Sequence, residues 1–76
     1  MKSFNIMLDS IDKVKTFVNI VAKCDFDVDL TSGRYVVDAK SIMGIFSLDL
    51  SKPIKLDIYG DDSSDFEAEI KGFIVE

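Results

Sequence analysis

The sequence contains no histidine. An imidazole is the usual side chain for general-base work and for accepting a labile phosphoryl group near neutral pH, and it is the commonest metal ligand. Its absence removes every Ser-His-Asp arrangement and leaves no zinc-binding set. Cys24 is the only cysteine, so no internal disulfide can form, and a reducing cytoplasm is the default compartment. No apolar run approaches the roughly 20 residues that span a bilayer. Met1-Lys2-Ser3-Phe4 carries one lysine and then alternates, which is not the pattern of a signal peptide. Cations are in short supply: nine Lys and Arg against fourteen Asp and Glu give a net charge of −5. The lysines are scattered rather than clustered. Nucleic acid and anionic membrane surfaces are therefore disfavoured partners, because both need a basic face.

What is present is sufficient for a core. Hydrophobic residues make up 47% of the 76 and charged residues 30%, the balance of a soluble globular chain. The length implies one small domain over residues 1–76, near the lower limit for independent folding.

The periodicities define the elements. Lys2 to Leu8 alternates, with Phe4 and Ile6 on one face, and reads as a strand. Asp9 and Ser10 are good N-cap types. The apolar series Ile11, Val14, Phe17, Val18 and Val21 then gives one helical face, predicting a helix to about Lys23. From Cys24 to Leu30, Phe26, Val28 and Leu30 face one way and Asp25, Asp27 and Asp29 the other. Ser32-Gly33 is a turn signal, and Arg34 to Ala39 completes a hairpin. Ser41 opens a short helix to about Leu48, and Ser51-Lys52-Pro53 breaks the chain. Ile54, Leu56 and Ile58 mark a fourth strand, and Gly60-Asp61-Asp62 a loop. Ser64-Asp65-Phe66-Glu67 has capping-box spacing, with Phe66, Ile70, Phe73 and Ile74 as the last helical stripe. The order is βαββαβα. Single-sided strands and single-sided helices together predict an α/β (α+β) fold: a two-layer open-faced β-sandwich with a largely antiparallel sheet.

Within this pattern Lys40-Ser41-Ile42-Met43-Gly44-Ile45-Phe46-Ser47-Leu48 resembles, almost residue for residue, the regulatory-serine segment of the HPr family. These are small histidine-containing phosphocarriers of the bacterial phosphoenolpyruvate-dependent sugar phosphotransferase system. Lys23 to Leu30 is a weaker match in the same ungapped register. The resemblance implies an HPr-like fold, a cytoplasmic location, no enzymatic activity of its own and no cofactor. It also implies protein partners, and it carries the family's regulatory phosphorylation to Ser41.

The same register places the family's phosphoryl-accepting histidine at Ser10, its arginine at Asp12 and the following proline at Lys13. All three depart, so no catalytic residue carries over. A serine hydroxyl is not appreciably ionised near pH 7, needs an activating base, and gives a stable ester once phosphorylated. Asp12 further inverts the charge that would hold an anionic phosphoryl group.

Each remaining candidate has a plain alternative. Ser41 caps a helix, worth about 1 kcal/mol over alanine, and the capping and phosphorylation readings are compatible. Lys40, Met43, Phe46 and Leu48 form a candidate partner-binding surface, since a helix of about two turns cannot turn all its apolar residues inward. Plain core is the alternative for the apolar members. Asp25, Asp27 and Asp29 mimic the start of a calcium loop, but Leu30 and Val36 stand where glycine and glutamate are required, so a solvated strand face is expected. Cys24 reads as a small, partly buried apolar residue, with no metal ligation implied anywhere.

The resemblance, taken with the missing histidine, implies a regulatory or adaptor domain of phosphotransferase-system or carbon-catabolite control. Relatives that lack the histidine but keep the regulatory serine are recognised by an HPr kinase and bind a transcriptional regulator. The competing class is an orphan interaction domain that keeps the fold without modification.

Overall fold

Ser10 begins the first helix as the composition of that segment predicts. Its backbone is extended at φ −144° and ψ 157°, and its Oγ accepts the Lys13 amide at 3.2 Å. The computed structural model describes residues 2–60 and 63–75. Its elements are β1 (Lys2–Ile6), α1 (Ile11–Val21), β2 (Asp27–Ser32), β3 (Tyr35–Asp38), α2 (Ile42–Phe46), β4 (Ile54–Tyr59), α3 (Ser64–Ile70) and a closing 3₁₀ turn at Lys71–Phe73. The βαββαβα order is the predicted one. Of the expected Gly60-Asp61-Asp62 loop, Asp61 and Asp62 lie outside the described residues.

The four strands form one antiparallel sheet in the order β1-β4-β2-β3. Its register explains the two-layer architecture. Phe4 pairs with Leu56, Leu56 with Leu30, and Leu30 with Val37, giving an apolar row on the helix side. One residue along, Ser3, Asp57, Asp29 and Asp38 form a polar row on the open side. A slip of one residue would exchange these faces, so the pattern fixes the pairing. The β2–β3 hairpin closes through Gly33, whose φ of 59° is disfavoured for a residue with a Cβ.

Val14, Phe17 and Val21 of α1, Ile45 of α2, and Phe66 and Ile70 of α3 pack with Ile6, Val28, Leu30, Ile54, Leu56 and Ile58 into one core. Phe26 is partly buried against it, edge-on to Phe66 with centroids 5.7 Å apart.

Several expectations are corrected. Ile11 is 62% exposed. At 100° per residue it lies about 85° from the centre of the Val14, Phe17 and Val21 stripe, beyond even the partly buried Val18. The first strand ends at Ile6, and β2 begins at Asp27 rather than Cys24, because residues 22–26 turn the chain from α1 into the sheet. The cap of α3 is Ser63, not Ser64. Ser63 is buried, and its Oγ donates to Glu67 Oε2 at 2.6 Å, while Lys2 Nζ reaches the same oxygen at 3.0 Å. The last helix also stops earlier than its stripe suggests. Phe73 lies in the 3₁₀ turn, edge-on to Phe17 at 5.9 Å, and its carbonyl accepts the Met7 amide. Ile74 then bridges Ile6, and the Val75 amide donates to the Asn5 carbonyl, so the chain end runs back beside β1.

Candidate functional site

Two serine-capped helix starts carry the candidate chemistry. At the first, Ser10 is exposed and its hydroxyl oxygen is engaged as an acceptor by the Lys13 amide. No imidazole or other base activates it. Asp9 pairs with Lys13 Nζ at 2.9 Å, and the hydrogen bond and charge of that lysine hold the Asp9 carboxyl below its usual range. Asp12 stands exposed in the first turn of α1. Ser10 is thus flanked in the chain by two carboxylates, and the Lys13 ammonium is already committed to one of them. Such a setting disfavours a phosphoryl dianion.

At the second start, Ser41 Oγ accepts the Gly44 amide at 3.3 Å, and the Ser41 carbonyl accepts the Ile45 amide at 3.0 Å. Ser41 is exposed. Lys40 beside it is exposed too, and its Nζ donates to the Cys24 carbonyl at 3.3 Å. Of the apolar residues that follow, Ile45 is fully buried and Ile42 partly so, while Met43 is 78% and Phe46 40% exposed. Leu48 corrects the predicted surface. It is buried against the core, beyond the end of α2 at Phe46, so Leu48 is not available to a partner. The exposed face reduces to Met43 and Phe46 with Lys40 and Ser41 at its border.

Asp57 was not legible as a special residue. It points to the open face of the sheet yet is only 6% exposed. Ser3 Oγ donates to its Oδ1 at 2.7 Å, Thr31 Oγ1 lies 3.4 Å from Oδ2, and Lys55 Nζ is 3.7 Å away. The signal was there in part: an aspartate in the middle of Ile54-Lys55-Leu56-Asp57-Ile58, whose cross-strand neighbours prove to be Ser3 and Asp29. Asp29 is half-buried between Asp57 and Asp38. Burial pushes its carboxyl up, with Asp38, Asp27 and Asp57 adding to the effect and the Tyr59 hydroxyl opposing it. The solvated face expected for the Asp25, Asp27 and Asp29 series thus holds for Asp25 and Asp27 but not for Asp29. Among the described residues no group of three or more His, Cys, Asp or Glu is arranged to hold a metal ion.

Cys24 is half-buried with Sγ 3.8 Å from the Ile20 carbonyl, and burial pushes its thiol up, away from the thiolate a nucleophile needs. Among the described residues no helix is long and apolar enough to cross a membrane.

A four-stranded antiparallel sheet with helices on one face, and with a serine-capped short helix presenting apolar side chains, defines an open-faced sandwich of the phosphocarrier type. The chain belongs to the HPr family: the family model described as the PTS HPr component phosphorylation site matches residues 13–76, starting three residues after Ser10. Members of this family are phosphocarriers rather than enzymes. Among solved structures, HPr-C-His from Thermoanaerobacter tengcongensis is similar at 28% identity, with a TM-score of 0.80 over 95% of this chain and 89% of that one. The phosphocarrier protein HPr from Bacillus anthracis str. Ames shares 22% identity, with a TM-score of 0.72 over 97% and 94%. A mycoplasma histidine-containing phosphocarrier protein shares 16%, with a TM-score of 0.72 over 93% and 86%. The last two likenesses speak to the fold alone. No curated protein matches the sequence significantly.

Proposed function

We propose that this chain is a single HPr-like domain, residues 1–76, that does not carry phosphate but acts as a cytoplasmic regulatory or adaptor domain in phosphotransferase-system or carbon-catabolite control. The observation that carries this reading is the setting of Ser10. No imidazole stands beside its hydroxyl to activate it, and Asp9 and Asp12 flank it where an anionic group would have to be held. With no histidine in the chain, the imidazole phosphoramidate through which a histidine carrier passes its phosphoryl group on cannot form.

Function then rests on the second serine-capped start. Ser41 is exposed and borders Met43, Phe46 and Lys40, so a kinase of the HPr kinase type has access to it. Phosphorylation would add about −1.5 to −2 charges beside an adaptable apolar pair. A protein with a basic residue beside an apolar pocket, such as a transcriptional regulator, would distinguish the two forms through charge-assisted hydrogen bonds. The test is incubation with an HPr kinase and ATP, then intact mass and a pull-down with unmodified and modified protein. One phosphoryl group, lost in Ser41→Ala, and a partner lost in Met43→Ala are expected. No modification, together with no partner that depends on Met43 or Phe46, would leave the orphan interaction domain as the correct reading.

A further inference from the structure

At one end of the sheet, a cleft of about 760 Å3 opens between the tip of the β2–β3 hairpin and the segment that leads from α2 into β4. Neither Ser10 nor Ser41 lines it. Arg34, Lys52 and Lys55 do, with Thr31, Tyr35 and a single carboxylate, Asp49. One third of the chain's cations thus meet in one depression beside one acid, while the rest of the chain has six cations and thirteen acids. This is the reverse of the overall charge balance. The lone acid is also turned aside: Asp49 Oδ1 accepts both the amide and the hydroxyl of Ser51, and these bonds hold its carboxyl below the usual range.

The cations are largely uncommitted. Arg34 occupies the hairpin turn beside Gly33, is exposed, and has no acceptor among the described residues. Lys55 is no nearer than 3.7 Å to Asp57, whose own bond to Ser3 is a full ångström shorter. Lys52 is exposed and takes part in no ion pair among the described residues. A guanidinium presents a fork that matches two phosphate oxygens, and the ammonium groups act as adaptable point charges.

From this we propose that the cleft binds a small multivalent anion, specifically a diphosphate group, either free or as part of a nucleotide. Three cations from two separate segments suit a ligand that carries several charges over more than one phosphorus, and the volume exceeds what a single phosphate fills. The exposed ring of Tyr35 at the mouth offers a stacking surface if the diphosphate bears a base. This site is independent of the reading of Ser41, and a failure of either leaves the other standing.

The experiment is an amide chemical-shift titration of the 15N-labelled chain at constant ionic strength, with inorganic pyrophosphate in one arm and ADP in the other. Saturable shifts centred on Gly33, Arg34, Lys52 and Lys55 are expected. Equal affinity in the two arms assigns a free diphosphate, and tighter ADP binding that weakens in Tyr35→Ala assigns a nucleotide. Arg34→Ala and Lys52→Ala should each weaken binding about tenfold, the loss of one charge-assisted contact, whereas Lys15→Ala on α1 should leave it unchanged. All are exposed positions whose substitution leaves the core intact. Shifts that do not saturate, that scatter over all lysines, or that are as sensitive to Lys15 as to Arg34 would overturn the proposal.

Discussion

Ser41 and Gly44 are fitted to one another. The Gly44 amide donates to Ser41 Oγ, and a Cβ built at Gly44 would lie 3.3 Å from that same oxygen and 3.3 Å from Val37 Cβ on β3. The glycine therefore lets α2 sit close to the sheet while its first turn is capped by the serine that the family resemblance marks for phosphorylation.

That contact makes a prediction. Gly44→Ala gains helix propensity, about 1 kcal/mol, but presses on Val37 and displaces the cap. The two effects should nearly cancel in thermal melts, whereas a bulkier Gly44→Val should destabilise clearly, by about 1–3 kcal/mol. Kinase modification of Ser41 should slow in both variants, because the hydroxyl is pushed from its present position.

Gly60 is a second tight contact. A Cβ there would fall 2.6 Å from Phe26 Cγ and 2.9 Å from its Cβ, at the base of the ring and not at a yielding tip. Gly60→Ala should cost about 1–3 kcal/mol in denaturant unfolding. It should also disturb the edge-on pair of Phe26 with Phe66. Phe66→Ala itself, at a buried position, should cost about 3–5 kcal/mol, a large part of the stability of so small a domain.

The aspartate row gives a pH signature. Asp29 stands directly opposite both Asp57 and Asp38, and like charges opposed across strands are unfavourable. Its raised carboxyl means that the folded chain holds this proton more tightly than the unfolded one. This contribution is fully present below the unfolded value and is lost as pH rises through the folded one. Glu67 has the opposite sign. The Ser63 hydroxyl, then Lys2, hold it low, so its contribution is present above the ordinary value and is lost as pH falls. Asp29→Asn should therefore raise the melting temperature at pH 7, with a gain that shrinks as pH drops into the carboxylate range. Melting curves at several pH values check this; a gain independent of pH would show that the charges in the row do not interact.

The architecture was legible because alternation and helical stripes encode burial directly: Phe4, Leu56, Leu30 and Val37 align across the sheet as their spacing requires. Spacing alone favours Ser64 as the cap of α3 because Ser63 and Ser64 are equally good cap types; the structure selects Ser63, whose hydroxyl donates to Glu67. Periodicity places Leu48 with Met43 and Phe46 because it cannot tell where a short helix ends and the chain turns inward, whereas the structure buries it. The cleft of Arg34, Lys52 and Lys55 was invisible for the same kind of reason. Its cations come from two segments that only the pairing of β2 with β4 brings together, so along the sequence they look scattered.

Restoring the signature should be informative. Ser10→His with Asp12→Arg places an imidazole at the cap of α1 and replaces an acid by a cation. At most partial phosphoryl transfer is expected, because Lys13 still departs from the family pattern and Asp9 remains beside it. Full activity in the double variant would mean that these two positions alone separate this chain from a carrier.

The central claim is tested most directly with the unaltered protein. It is incubated with phosphoenolpyruvate and the general phosphotransferase enzyme of the sugar phosphotransferase system, and its intact mass is measured at neutral pH. The setting of Ser10 between Asp9 and Asp12, in a chain without histidine, predicts an unchanged mass. The gain of one acid-labile phosphoryl group would contradict it.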